Sequence, residues 1–188
     1  MNVNSLFISS VSATFELDNK EIYYNSKPFN VYLNDELVLE GENRNVFSLF
    51  NLKPSTEYTL RLVTEDDSCE YSFKTLFEKV VINVKDFGAV GDGVHDDTKF
   101  IQLAIYSCPK DGRVVFEEGK YLVTSIMLKS NITIELKKNA VILGMKDRNE
   151  FPYLPGEIKC NDGTELQLGT WEGDPGKMFA SIILGIDV

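Results

Sequence analysis

The residues best suited by type to do chemistry lie in one short run, Gly91-Asp92-Gly93-Val94-His95-Asp96-Asp97. Three aspartates around a histidine compose a donor set for a metal ion or for acid–base work. The glycines Gly88, Gly91 and Gly93 raise a second possibility, a loop that cradles a phosphate between a strand and a helix. The spacing speaks against it: G-x-x-G-x-G is not G-x-G-x-x-G, and no Gly-Lys-Ser/Thr follows. Carboxylates at that helix N-terminus would also repel a phosphate. Asp86-Phe87-Gly88 spells a kinase triplet, but no H-R-D precedes it. Adjacent side chains seldom converge on one point, and Asp96 or Asp97 already has a role as a helix cap. The expected role of the run is therefore structural, and no residue is assigned as catalytic. Elsewhere, Trp171, the only tryptophan, is a candidate to stack on a sugar face or, equally, to pin its loop to the body. Cys69, Cys108 and Cys160 show no C-x-x-C or Cys/His spacing, so neither zinc nor any other metal or cofactor is expected.

The elements that position this run follow from its neighbours. Val80, Val81, Ile82 and Val84 are β-favouring, and the glycines after them permit a tight, irregular loop. Phe100, Ile101, Ala104, Ile105 and Cys108 recur at helical spacing, which predicts one amphipathic helix ended by Pro109. Its apolar face must be covered.

Composition bounds the partners. The chain has 188 residues, 43% of them hydrophobic, and a formal net charge of −10. An acidic protein without a dense basic cluster is not expected to bind nucleic acid or an anionic membrane. No stretch is long and apolar enough for a membrane span, and no secretory signal is visible at the N-terminus. The expected location is cytoplasmic, or secreted with the signal already removed.

Residues 1–77 read as all-β. Short runs recur at Val11-Phe15, Glu21-Tyr24, Phe29-Leu33, Leu37-Leu39, Val46-Phe50, Tyr58-Val63 and Tyr71-Leu76. Asp18-Asn19, Asn34-Asp35, Gly41-Glu42 and Asp66-Asp67 suit the turns between them. That density of strands predicts an antiparallel sandwich. Leu52-Lys53-Pro54-Ser55-Thr56-Glu57-Tyr58 resembles the L-x-P-x-T-x-Y of fibronectin type III domains, which implies a tyrosine hydroxyl bonded back to the preceding corner. The boundary falls at Thr75–Lys79. A connection this short, without Gly or Ser, predicts two domains that pack together.

From residue 78 onward the pattern changes. After the helix, the stretch Gly112 to Val123 and then Ile126-Leu128, Ile132-Leu136 and Val141-Leu143 read as short β-runs separated by turns such as Lys129-Ser130-Asn131 and Lys137-Lys138-Asn139. Those turns are too short for helical crossovers, so successive coils of a solenoid fit better than a doubly wound sheet. Lys146 to Phe179, with three prolines and five glycines, predicts a long loop with a hairpin at Glu165-Leu168.

The run DFGAVGDGVHDDTKFIQLAI resembles the opening of right-handed parallel β-helix enzymes of the pectinase superfamily, in which a capping helix plugs the N-terminal end. Lys129-Ser130-Asn131-Ile132-Thr133 and Ala140-Val141-Ile142-Leu143-Gly144 resemble the L-K-S-N-x-T and A-x-L-L-G of glycoside hydrolase family 28, the polygalacturonases. Asp147 to Pro152, Thr170-Trp171-Glu172-Gly173 and Ala180-Ser181-Ile182-Ile183 are similar to the next landmarks of its bacterial members. This resemblance covers Val80 to Val188. Bacterial polygalacturonases, exo-acting ones included, also pair the β-helix with a fibronectin-like domain. It implies a parent that hydrolyses α-1,4-galacturonosidic bonds of pectin with inversion, so that pectin or oligogalacturonide is the expected partner. The family's N-T-D, G-H-G and R-I-K motifs do not occur here, and Asp96-Asp97 sits before the end helix, not on a downstream β-helix strand where the family's catalytic Asp-Asp pair is expected. Residues 78–188 are thus expected to be the first coils of the β-helix, cut before the catalytic coils, and inactive alone. The alternative is a non-catalytic carbohydrate-binding or tailspike-like structural piece.

Overall fold

The computed structural model describes residues 1–19, 23–160, 162–167, 170–171 and 174–186. It divides into two compact units, Met1–Glu78 and Lys79–Val188. Among the described residues strands dominate both, and the fold is all-β with one α-helix.

The described residues of the first unit form seven strands: β1 (Val3–Ile8), β2 (Ala13–Leu17), β3 (Tyr24–Leu33), β4 (Glu36–Arg44), β5 (Val46–Leu49), β6 (Glu57–Val63) and β7 (Ser68–Lys74). They form two antiparallel sheets, ordered β1-β2-β5 and β4-β3-β6-β7. Alternation along the strands turns Phe15 and Phe47 of one sheet and Phe29, Val31, Leu60 and Leu62 of the other into a shared core. Phe15 meets Phe73 edge-on at 5.1 Å, and Phe29 meets Phe47 at 5.6 Å, so aromatic contacts join the sheets.

Three expectations are corrected here. β1 went unread, because a register shift between Ser5 and Phe7 breaks its period of two. Tyr24 and Phe29 lie on one strand rather than two, while Glu21 and Ile22 lie outside the described residues. Gly41 makes no turn between strands. It sits inside β4 at φ 62°, where the pairing with β3 is irregular.

The corner before β6 is a closed set of hydrogen bonds. Tyr58 Oη accepts from Lys53 N at 2.9 Å, and buried Thr75 donates to Lys53 O at 2.6 Å and accepts from Thr56 N at 2.9 Å. The Tyr58 ring stacks on Phe73 at 5.5 Å. Tyr58→Phe keeps the stacking and removes one bond that lies near solvent, so a loss of about 1 kcal/mol is expected. Urea denaturation checks it, and an unchanged midpoint would show that the corner does not depend on the hydroxyl.

The second unit is built from stacked parallel strands. β8 (Val81–Asn83), β9 (Asp92–Asp96), β10 (Gly112–Phe116), β11 (Gly119–Val123), β12 (Ile126–Met127), β13 (Ile132–Leu136) and β14 (Ala140–Gly144) follow in order. One ladder runs β8-β10-β13 and a second β9-β11-β14, all parallel. Ile82, Val114 and Ile134 are in register, as are Tyr121 and Ile142, and their side chains fill the interior. Such vertical stacking of equivalent positions is what a solenoid demands. Asp111 and Asn131 occupy equivalent corners at φ 62° each, and Asp111 N donates to Asn131 O at 2.8 Å. The backbone bonding therefore continues from strand to strand through the turns.

Helix α1 (Thr98–Ser107) buries Ile101, Ala104 and Ile105 in the same interior, and Cys108, its C-cap, is also fully buried. Its Gln102 Nε2 donates to Met127 O at 3.0 Å, and Met127 N donates to Gln102 Oε1 at 2.8 Å. One side-chain amide thus supplies the donor and acceptor that a neighbouring strand would give β12. Lys129 Nζ donates to Tyr106 O and Cys108 O, at 3.1 and 2.6 Å, and satisfies the C-terminal carbonyls of α1.

The other edge of β12 pairs in parallel with β21 (Ile183–Leu184). Between β14 and β21 lies an excursion of short antiparallel pairs. β15 (Tyr153–Leu154) pairs with β20 (Met178–Phe179), β16 (Glu157–Lys159) with β17 (Glu165–Gln167), and β18 (Thr170–Trp171) with β19 (Asp174–Pro175). The expected loop is real, but it carries more strand than expected. The hairpin uses Glu165–Gln167 as its second arm only, and Leu168 lies outside the described residues.

Candidate functional site

The glycine-rich run is a tied-down corner. Val84, expected to continue β8, opens a 3-10 turn over Val84–Phe87 and is fully buried. Gly88 then takes φ 106° with the Phe100 ring so close that an added Cβ would sit 2.9 Å from it. Asp92–Asp96, expected to be loop, is β9, drawn into extended form by pairing with β11 at Lys120 and Leu122.

The three aspartates have separate local duties. Asp97 is completely buried, and its Oδ1 accepts from Val90 N at 2.7 Å and its Oδ2 from Gly91 N at 2.9 Å. It stands at the N-cap position of α1 but makes no side-chain cap bond, so of the two expected cap candidates, Asp96 or Asp97, this one anchors the loop instead. Asp96 Oδ1 accepts from Thr98 N at 2.9 Å and does the capping. Asp92 Oδ1 accepts from Val94 N and His95 N at 2.8 and 2.9 Å, and its Oδ2 lies 2.6 Å from His95 Nδ1.

These bonds hold the Asp92 carboxyl down to about 2, through the backbone N–H of His95 first, then that of Val94, then the His95 ring. The sign follows: a depressed folded pKa stabilises above the ordinary value of 3.8, and the contribution disappears as pH falls through about 2. An NMR titration of the Asp92 side chain is expected to show its midpoint near 2. A midpoint near the ordinary value would mean that the turn bonds do not hold in solution.

Nothing here poises an acid opposite a base. Among the described residues no group of three His, Cys, Asp or Glu side chains could hold a metal ion, and no helix is long and apolar enough to cross a membrane. A charged stripe crosses the β10–β13 face: Glu135 pairs with Arg113 through one oxygen and with Lys137 at 2.7 Å through the other. Its groups bond one another along the ladder.

The excursion carries exposed aromatic surface. Trp171 lies on β18, with its backbone paired to Asp174, but its side chain lies outside what the structure describes. Sequence reasoning missed a second group. Tyr153 and Phe179 face each other across β15 and β20 with ring centroids 4.2 Å apart, and the Arg148 guanidinium lies 5.0 Å over Phe179. Two-residue strands show no periodicity, so the only signal was an aromatic at each end of the excursion.

The rhamnogalacturonase A/epimerase, pectate lyase-like family model matches residues 81–145, the stretch that spans β8 to β14. The exo-poly-α-D-galacturonosidase of Dickeya chrysanthemi is 34% identical over 108 residues, 54% of this chain and 18% of that protein. The family 28 exopolygalacturonase of Yersinia enterocolitica has the same fold, with a TM-score of 0.64 and 23% identity, covering 99% of this chain and 36% of that one. Residues 81–145 of this chain are thus similar to the pectate lyase-like family. This chain is also similar to the plasmin and fibronectin-binding protein A of Streptococcus pneumoniae, 38% identical over 115 residues, 57% of this chain and 16% of that protein. The chain therefore spans less than a fifth of either curated relative.

Proposed function

We propose that this chain is the N-terminal portion of a polygalacturonase-like glycoside hydrolase that cleaves α-1,4-galacturonosidic bonds of pectin with inversion. The observation that carries the reading is the pair of three-strand parallel ladders over β8 to β14, which coincide with the pectate lyase-like match at residues 81–145. In this reading the second unit is the opening of a right-handed β-helix, sealed by α1. The first unit is a fibronectin type III-like module, supported by its strand order and by the Tyr58–Lys53 corner. Inverting hydrolysis needs an acid and a base roughly 6.5–9.5 Å apart across the sugar. The reading assigns both to coils outside these 188 residues, since Asp92, Asp96 and Asp97 are each committed to local backbone N–H groups.

The test is a reading frame that continues in phase past residue 188, expressed and assayed on polygalacturonate with the product anomer read by NMR. Release of galacturonate with inverted configuration supports the reading. An extended protein that binds pectin without cleaving it supports the second reading, a non-catalytic binding or tailspike-like piece. A non-catalytic role is favoured by the streptococcal relative, which is named for binding plasmin and fibronectin rather than for hydrolysis.

A further inference from the structure

We draw no further inference here: the strongest candidate, the outer face of the β1-β2-β5 sheet, with Phe7 exposed on β1 and Phe50 exposed just past the end of β5, carries nothing because nothing in the structure shows what covers it.

Discussion

Asp97→Ala is expected to destabilise the second unit by about 3–5 kcal/mol, the largest effect of any single substitution considered. The carboxylate has no exposure to solvent and accepts the N–H groups of both Val90 and Gly91. Truncation leaves two donors without a partner in a place that excludes water, and each bond to a charged acceptor is worth roughly 1.5–3 kcal/mol. Gly91 cannot move aside easily, because its O accepts from Lys120 N at 2.7 Å and a Cβ there would lie 3.0 Å from Tyr121. Asp97→Asn keeps one acceptor and turns an amide donor toward the other N–H, so its loss is expected to be smaller but still clear. Hydrogen exchange at Val90 and Gly91, with thermal denaturation of the full chain, measures both. A midpoint unchanged in Asp97→Ala would mean that the loop stands without its anchor.

Ile105→Ala should cost about 2–5 kcal/mol, and Ile101→Ala a similar amount. Both side chains are at most 1% exposed and meet the interior formed by Val114, Phe116, Tyr121 and Val123. The helix stands beside β12, tied by Gln102 to both backbone groups of Met127, which limits how far it can settle into the cavity. The expected loss therefore lies toward the upper end of the range. Urea denaturation followed by helical circular dichroism reads it, and a loss under about 1 kcal/mol would show that α1 does not seal this core.

Much of this arrangement was legible because local preference and tertiary demand agree. The spacing of Ile101, Ala104, Ile105 and Cys108 gave the helix, since each of those positions is buried. Asn131 and Asn139, read as turn residues, take the left-handed conformation at φ 62° and 65° that asparagine tolerates better than most. The Leu52–Tyr58 motif gave the hydroxyl bond back to its corner. What was hidden depends on partners distant in sequence. Asp92–Asp96 has no strand pattern of its own and becomes extended only because β11 lies beside it. Sequence could not tell which of Asp96 and Asp97 caps the helix: Asp96 does, while the acceptor duty of Asp97 points backward to Val90. Nothing local marks Gln102 or Lys129 as terminators of a strand edge and a helix end, since each finds its partner more than 20 residues away. The Tyr153–Phe179 pair was invisible for the same reason, and the side chain of Trp171, the one binding residue chosen from sequence, lies outside the described structure.

The central claim is that these coils provide scaffold and the hydrolytic pair is elsewhere. The most direct measurement is reducing-end release from polygalacturonate by the purified 1–188 polypeptide. The account predicts no release above the substrate blank at any protein concentration. Release that scales with protein, survives repurification and disappears in an Asp92→Asn/Asp96→Asn variant would contradict it, because those carboxylates would then be performing the chemistry.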